Sequence, residues 1–209
     1  MEPFGSLMFT PAVQAEQEAR GSRDANARMV ARGAPDGLGD DEIAFLTSRT
    51  SIYVATVSET GWPYVQHRGG PRGFLKVLDA QTIGFADYRG NRQYVSTGNL
   101  KNDDRVSLFA TDYPRKTRLK LIGHATLVDA TAAPDLAQAL ASDEQGKVER
   151  LMTIRIAAFD WNCPQFITPR FDTAEIAALV APELERLESE NARLANELAS
   201  LRETLKKDS

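Results

Sequence analysis

Two short stretches of the 209-residue chain hold most of the residue types that could do chemistry. The first is Gln66-His67-Arg68-Gly69-Gly70-Pro71-Arg72-Gly73, with three glycines in five residues. Glycine lets a backbone approach a ligand closely, and exposed N–H groups in such a loop form a concavity for anions. Arg68 and Arg72 add positive charge, so a phosphate is a natural guest. The structural alternative is a glycine-rich turn with solvated arginines. His67, beside Arg68, suits contact with a bound group or proton donation, and equally a strand position facing an interface. The second stretch is Asp87-Tyr88-Arg89-Gly90-Asn91-Arg92-Gln93, followed by Asn99 in Thr97-Gly98-Asn99-Leu100. Asn and Gln amides both donate and accept, which suits a heterocycle with imide-like edges. Arg89 and Arg92 again offer charge for a phosphate. The alternative is a polar loop with Asn91 in a turn and Asn99 near a helix end.

Other chemistries have less to work with. One cysteine, Cys163, excludes an intrachain disulfide framework and a Cys-rich zinc site. Two histidines, His67 and His124, argue against a multi-histidine metal centre. No histidine stands beside Cys163 in sequence, so a structural thiol is expected over a nucleophile. His124 alternates within a strand pattern and reads as structural. Tyr53, Trp62, Tyr64, Phe74 and Phe85 fall at strand positions and read as core or interface. No GxGxxG loop follows a strand, so a nicotinamide-dinucleotide domain is not supported.

The elements that must position these loops fall into three parts. Residues 1–48 read as a helical arm: a helix from Pro11 to Arg20, a break at Gly21-Ser22, a second helical stretch up to Gly33, and a third helix, Asp41 to Thr47, with Asp40 as its N-cap. Residues 49–171 read as β-rich. Strands are predicted at 51–57, 64–68, 74–78, 82–86, 106–111 (as a buried strand), 118–128 and 151–159, with a short helix near 133–141. Six or seven strands with short turns suggest a small barrel or sandwich. Residues 172–209 read as a helix with leucines at 184, 187, 194, 198, 201 and 205. With Leu184 at heptad position a, all six fall on a or d, and Asn191 takes the remaining a position. This is a short leucine-zipper pattern with one polar residue that fixes register and a two-stranded state. An amphipathic helix lying on its own barrel is the other reading. No basic region precedes the heptads, which argues against a zipper-type DNA-binding protein.

Composition is that of an ordinary globular chain, 42% hydrophobic and 26% charged. The formal net charge of −4 argues against a dedicated nucleic-acid binder, whose affinity comes from neutralising phosphates. No run approaches the roughly 18 apolar residues of a membrane span. The N-terminus lacks the basic and apolar regions of a signal peptide, so the cytoplasm is the expected compartment.

The run His67–Phe109 carries the RGGP loop, GNRQ and GNL in this order. In these features it resembles the pyridoxamine 5'-phosphate oxidase-related, FMN-binding split-barrel family, and looks closest to its predicted flavin-nucleotide-binding subgroup. The similarity covers about residues 40 to 170, and the opening FTPAVQAEQEARGSR also looks like that subgroup's N-terminal arm. The resemblance implies a mainly β fold with flanking helices, an FMN-binding split β-barrel, and a homodimer with FMN at the subunit interface. By the same resemblance Arg68 and Lys76 would hold the phosphate, with Gly69 and Gly70 beside them and His67 close by. Asp87, Asn91, Arg92 and Gln93 would touch the ribityl chain and the flavin, with Asn99 as a further contact. Trp161 and Arg170 stand at nearly the separation of a Trp and an Arg that, in the oxidases, reach the flavin of the other subunit. As an alternative, Trp161 caps the barrel. The oxidase ending that helps bind the pyridoxal substrate is absent and a helical tail replaces it. The expected activity is that of an FMN-dependent oxidoreductase acting on a small-molecule substrate or electron donor. The alternative is a non-catalytic flavin, deazaflavin or haem binding or sensor module of the same fold.

Overall fold

Alternating side chains account for most of the sheet. In β1 (Ser51–Val57), Ile52, Val54 and Thr56 point inward while Tyr53 and Val57 face out. β5 (Arg105–Asp112) likewise buries Val106, Leu108 and Ala110 and exposes Ser107. The strand read as buried over 106–111 thus buries one face and leaves Ser107 on the other. In the computed structural model, which describes residues 1–142, 146–161 and 165–207, these join β2 (Pro63–Gly69), β3 (Lys76–Asp79), β4 (Thr82–Tyr88), β6 (Thr117–Asp129) and β7 (Val148–Trp161). All seven strands form one antiparallel sheet in the order β2-β1-β5-β6-β7-β4-β3. The sheet curls into a split barrel, so that Arg68 on the edge strand β2 donates to Asp87 on β4. β3 starts at Lys76, because Phe74 and Leu75 lie in the preceding turn, both buried in the core.

Inside the curl sit Leu46, Ile52, Phe85, Leu108, Leu121, Met152 and Ile154, each at most 1% exposed. Each such side chain contributes about 1.5–3 kcal/mol by leaving water. A bulge sets the curvature where β6 meets β7: Ile122 pairs with Ala158 and Gly123 with Ile156, which leaves Ala157 unmatched. Only glycine fits at 123, since a Cβ there would stand 2.3 Å from the Arg155 carbonyl oxygen. The carbonyl of Ala157 accepts the Glu2 N–H at 2.9 Å and so tethers the N-terminal segment.

That segment forms α1 (Phe4–Met8), α2 (Pro11–Ala19) and α3 (Arg23–Ala31). α4 (Asp40–Thr47) follows, with Asp40 as its first residue and Gly39 at the N-cap. Glu42 accepts the Gly39 N–H at 2.9 Å, and three acidic residues in the first turn complement the helix dipole. At the other end Arg49 donates to the Phe45 and Thr111 carbonyls and, at 2.6 Å, to the Asp112 carboxylate. One buried guanidinium thus closes α4 and pins it to β5. α5 (Val95–Asn99) and α6 (Pro134–Ala139) are short connectors.

Met1–Ile167 form one compact unit and Thr168–Ser209 a second. The second contains α7 (Thr173–Lys207), which opens with a reciprocal cap: Asp172 accepts from the Glu175 N–H and Glu175 from the Asp172 N–H.

Candidate functional site

Asp87 is the centre of the arrangement. The strand carries it into the barrel wall, where it is 3% exposed. A carboxylate there is stable only if paired. Register supplies the partners: Arg150 lies directly opposite on β7, and Arg68 reaches across from β2. Asp87 Oδ1 accepts from Arg68 Nη1, and Oδ2 accepts from Arg150 Nε and Nη2 at 3.0 and 2.9 Å. Arg150 also lies 3.2 Å from the Glu149 carboxylate, and its guanidinium stacks over Tyr94, 4.9 Å from the ring centroid. Burial depresses the basicity of Arg150, but the hydrogen bond and charge of Asp87, aided by Glu149, outweigh it and hold the group above its usual range.

Arg68, Asp87, Tyr94 and Arg150 line a cavity of about 230 Å³ bounded by β2, β4, β7, the loop 90–94 and the start of α5. The lining holds three arginines, Arg68, Arg92 and Arg150, and one carboxylate, Asp87, so it carries a positive excess that Glu149 behind Arg150 tempers. Asn91, Gln93, Gln66 and Tyr64 complete the polar wall. Arg68 Nε is buried without a hydrogen-bond partner among the described residues. The loop is also strained: Arg92 and Tyr94 both adopt left-handed backbone conformations, φ 63° and 53°. Each such residue is held at about 1–2 kcal/mol above its relaxed state, a conformation that clusters at binding sites. Asn91 Oδ1 accepts the Gln93 N–H at 3.1 Å and braces the turn. The other face of Tyr94 and Arg150 borders a larger cleft of about 770 Å³ that includes Lys101, Asp104, Asp129 and Lys147.

Five of the residues singled out in sequence therefore meet in one place: Arg68, Asp87, Asn91, Arg92 and Gln93. The others stand elsewhere. His67 is exposed on the opposite face of β2, edge-on to Tyr53 at 5.6 Å. Gly69 admits no side chain without a shift, since a Cβ would approach the His67 ring at 2.9 Å. The N–H groups of Gly70 and Gly73 donate to the Thr50 and Thr47 carbonyls, which makes this loop a tied-down turn. Lys76 begins β3, opposite Gly84. Asn99 is buried and donates to Thr56 Oγ1 at 2.9 Å, a bond that seats α5 on β1. Trp161, at the far end of β7 from Arg150, donates to Glu42 at 2.6 Å and packs edge-on against Phe45. Arg170 belongs to the second unit. Cys163 lies outside the described residues. The cavity contains one charged residue that no motif announced, Arg150, together with Tyr94 and Ser96, and it also takes in Gln66 from the first stretch. Gln66 accepts from Ser96 at 3.0 Å and links β2 to α5.

Among the described residues no group of three or more His, Cys, Asp or Glu is placed to hold a metal ion, and no helix is long and apolar enough to cross a membrane. The donor set fits a phosphate-bearing ligand: guanidiniums in excess, amides at the rim, and one guanidinium N–H not yet used. The cavity alone is smaller than the roughly 300–1,000 Å³ of a complete small-molecule site.

No curated protein matches the chain. Solved structures with a similar fold include HupZ of Group A Streptococcus, with 17% identity over 64% of this chain and 100% of that one, at a TM-score of 0.45. A Clostridium acetobutylicum protein related to general stress protein 26, of the pyridoxinephosphate oxidase family, shares 14% identity over 58% and 85% of the two chains (TM-score 0.44). An FMN-binding protein from Syntrophomonas wolfei shares 11% over 70% and 97% (TM-score 0.44). The family model for pyridoxamine 5'-phosphate oxidase matches residues 40–158, more than half of the chain, and the protein belongs to that family.

Proposed function

We propose that the protein is a homodimeric flavoprotein oxidoreductase that binds FMN with its phosphate end in the Arg68–Asp87–Arg92 cavity. The positive excess of that cavity, three arginines around one carboxylate, is the observation that carries this reading. Asp87 holds Arg68 and Arg150 in fixed orientations, so the donors need no reorganisation when an anion arrives. Arg92, exposed at the loop tip, adds a further positive charge beside the Arg68–Asp87–Arg150 cluster. Asn91 and Gln93 offer donors and acceptors to a polar ring edge. Bound FMN would supply a ring that accepts a hydride or electrons; the protein supplies anchoring and orientation. A cavity of 230 Å³ accommodates the phosphate end of the cofactor, and a second copy of the chain would provide the remaining wall.

The test begins with the visible spectrum of the purified protein and identification of any released chromophore. Flavin bands with released FMN, or saturable binding of added FMN near one per chain, support the reading. Arg92→Gly should weaken FMN binding on the order of tenfold, the worth of one charge-assisted hydrogen bond. A colourless protein that does not bind added FMN overturns the proposal. Bound flavin that NADH or NADPH reduces and air reoxidises supports an oxidoreductase. Bound flavin that does neither identifies a binding module, and a haem or deazaflavin spectrum changes the cofactor.

A further inference from the structure

The second unit presents a surface that the flavin reading does not use. In α7 the leucines at 184, 187, 194, 198, 201 and 205 are all 41% to 68% exposed, along one stripe of a helix about 52 Å long. Such a stripe is unstable in water unless something covers it. We propose that it is covered by α7 of a second copy, in a parallel, in-register, two-stranded coiled coil from Glu183 to Leu205.

Four features of the helix point to this occupant. The first is the repeat. From Leu184 onward the a and d positions are leucine except Asn191, and a single Asn at a is the residue that pairs best with itself across a parallel dimer. The second is where the repeat starts. Pro182 stands inside the helix and removes one backbone donor. Before it the seam holds only Ala177 at a and Val180 at d, with Ile176 and Leu179 off it at g and c, and the leucine repeat begins directly after it.

The third feature is charge. The g positions are Glu183, Glu190 and Glu197. An antiparallel pair would set g against g, acid against acid. A parallel pair sets g against the e position of the next heptad, which places Glu197 beside Arg202 of the other copy. The fourth is intrahelical. Arg186 pairs with both Glu183 and Glu190, at 2.7 and 3.1 Å, and Arg193 with Glu197 at 3.2 Å. The arginines at c thus temper the acidic row, including the like-charge approach of Glu183 to Glu188 of the other copy.

This inference is independent of flavin binding and of any association through the barrel, so the test reads the helix itself. In the full chain with Cys163→Ser, one variant carries Leu198→Cys at a and another Ser189→Cys at the outward f position. Both are oxidised mildly with copper and air and run on a non-reducing gel. An in-register parallel pair brings position 198 against its own counterpart, so Leu198→Cys should give covalent dimer at least tenfold faster than Ser189→Cys. Adding Leu194→Glu and Leu201→Glu to the Leu198→Cys chain should abolish the covalent dimer, while any barrel association persists in sedimentation. No cross-link at 198, equal rates at 189 and 198, or a cross-link that survives the two glutamates would each overturn the coiled coil.

Discussion

Replacing Asp87 by Asn keeps the shape of the side chain and removes its charge. The carboxylate offers one oxygen to Arg68 and the other to Arg150. The amide offers one oxygen and one NH2, so one guanidinium must face a donor. Removing one partner of a fully buried ion pair is worth about 3–5 kcal/mol. Here Asp87 is 3% exposed, but the Arg68 and Arg150 side chains keep 15% and 19% of their surface in water. Water therefore compensates part of the loss, and about 2–3 kcal/mol of destabilisation is expected. With a urea slope of roughly 2 kcal/mol/M, the unfolding midpoint should fall by about 1 M. The loss should persist in high salt, because screening acts mainly on exposed charges. Equilibrium urea unfolding followed by circular dichroism measures this directly. A midpoint within about 0.2 M of the parent at an unchanged slope would refute the idea that Asp87 holds the two arginines. Asp103→Asn is the matched control: its ion pair with Arg105 lies at the surface, and no resolved midpoint change is expected.

Acid should loosen the anchor between α4 and β5. Burial pushes the Asp112 carboxyl up, but the Arg115 N–H, the Arg49 charge and their side-chain hydrogen bonds outweigh it and hold the group below its usual range. A depressed carboxyl contributes stability that is complete above the unfolded value near 4 and is lost as pH falls through the folded value. Urea midpoints at pH 6 and pH 3 should therefore differ less in Asp112→Asn than in the parent, and an equal pH dependence would contradict this. Gly123→Ala should destabilise the fold by about 2 kcal/mol or more and so lower the thermal midpoint markedly, because the new Cβ meets the backbone carbonyl of Arg155 and no side chain can move aside. A melting curve like the parent's would show that the bulge between β6 and β7 can relax.

The strands were legible because their burial alternates. The pattern Ile52, Val54, Thr56 marks β1, and Leu119, Leu121 and Ala125 alternating with Arg118, Lys120, His124 and Thr126 mark β6. The stretch 87–93, the end of β4 and the loop after it, was legible because Asn, Arg, Gln and Gly crowd into seven residues. Arg150 was not legible. It follows Lys147, Val148 and Glu149 in no motif, and it reaches the site only through the register of β4 against β7, which brings residues 63 positions apart face to face. Asn99 misled in the other direction. Its amide suits a ligand, yet the chain uses it internally on Thr56, and composition does not distinguish those uses. The RGGP loop shows the same limit: its glycine N–H groups donate to the 47–50 carbonyls, contacts that depend on where α4 ends. The N-cap at Gly39 was hidden by three consecutive acids, any of which suits the first turn.

The clasp between Arg68 and Asp87 also decides how the barrel opens. β2 is held by a backbone ladder on one side only, that of β1. On its other side the contacts are side chains, Gln66 to Ser96 and Arg68 to Asp87. An edge held in this way can peel without breaking the central strands, so its amides exchange with solvent through a local opening of lower free energy than global unfolding. The same two residues that close the seam also line the cavity. An anion bridging Arg68 and Arg92 would then act as a latch, slowing that opening and coupling occupancy of the cavity to the closure of the strand.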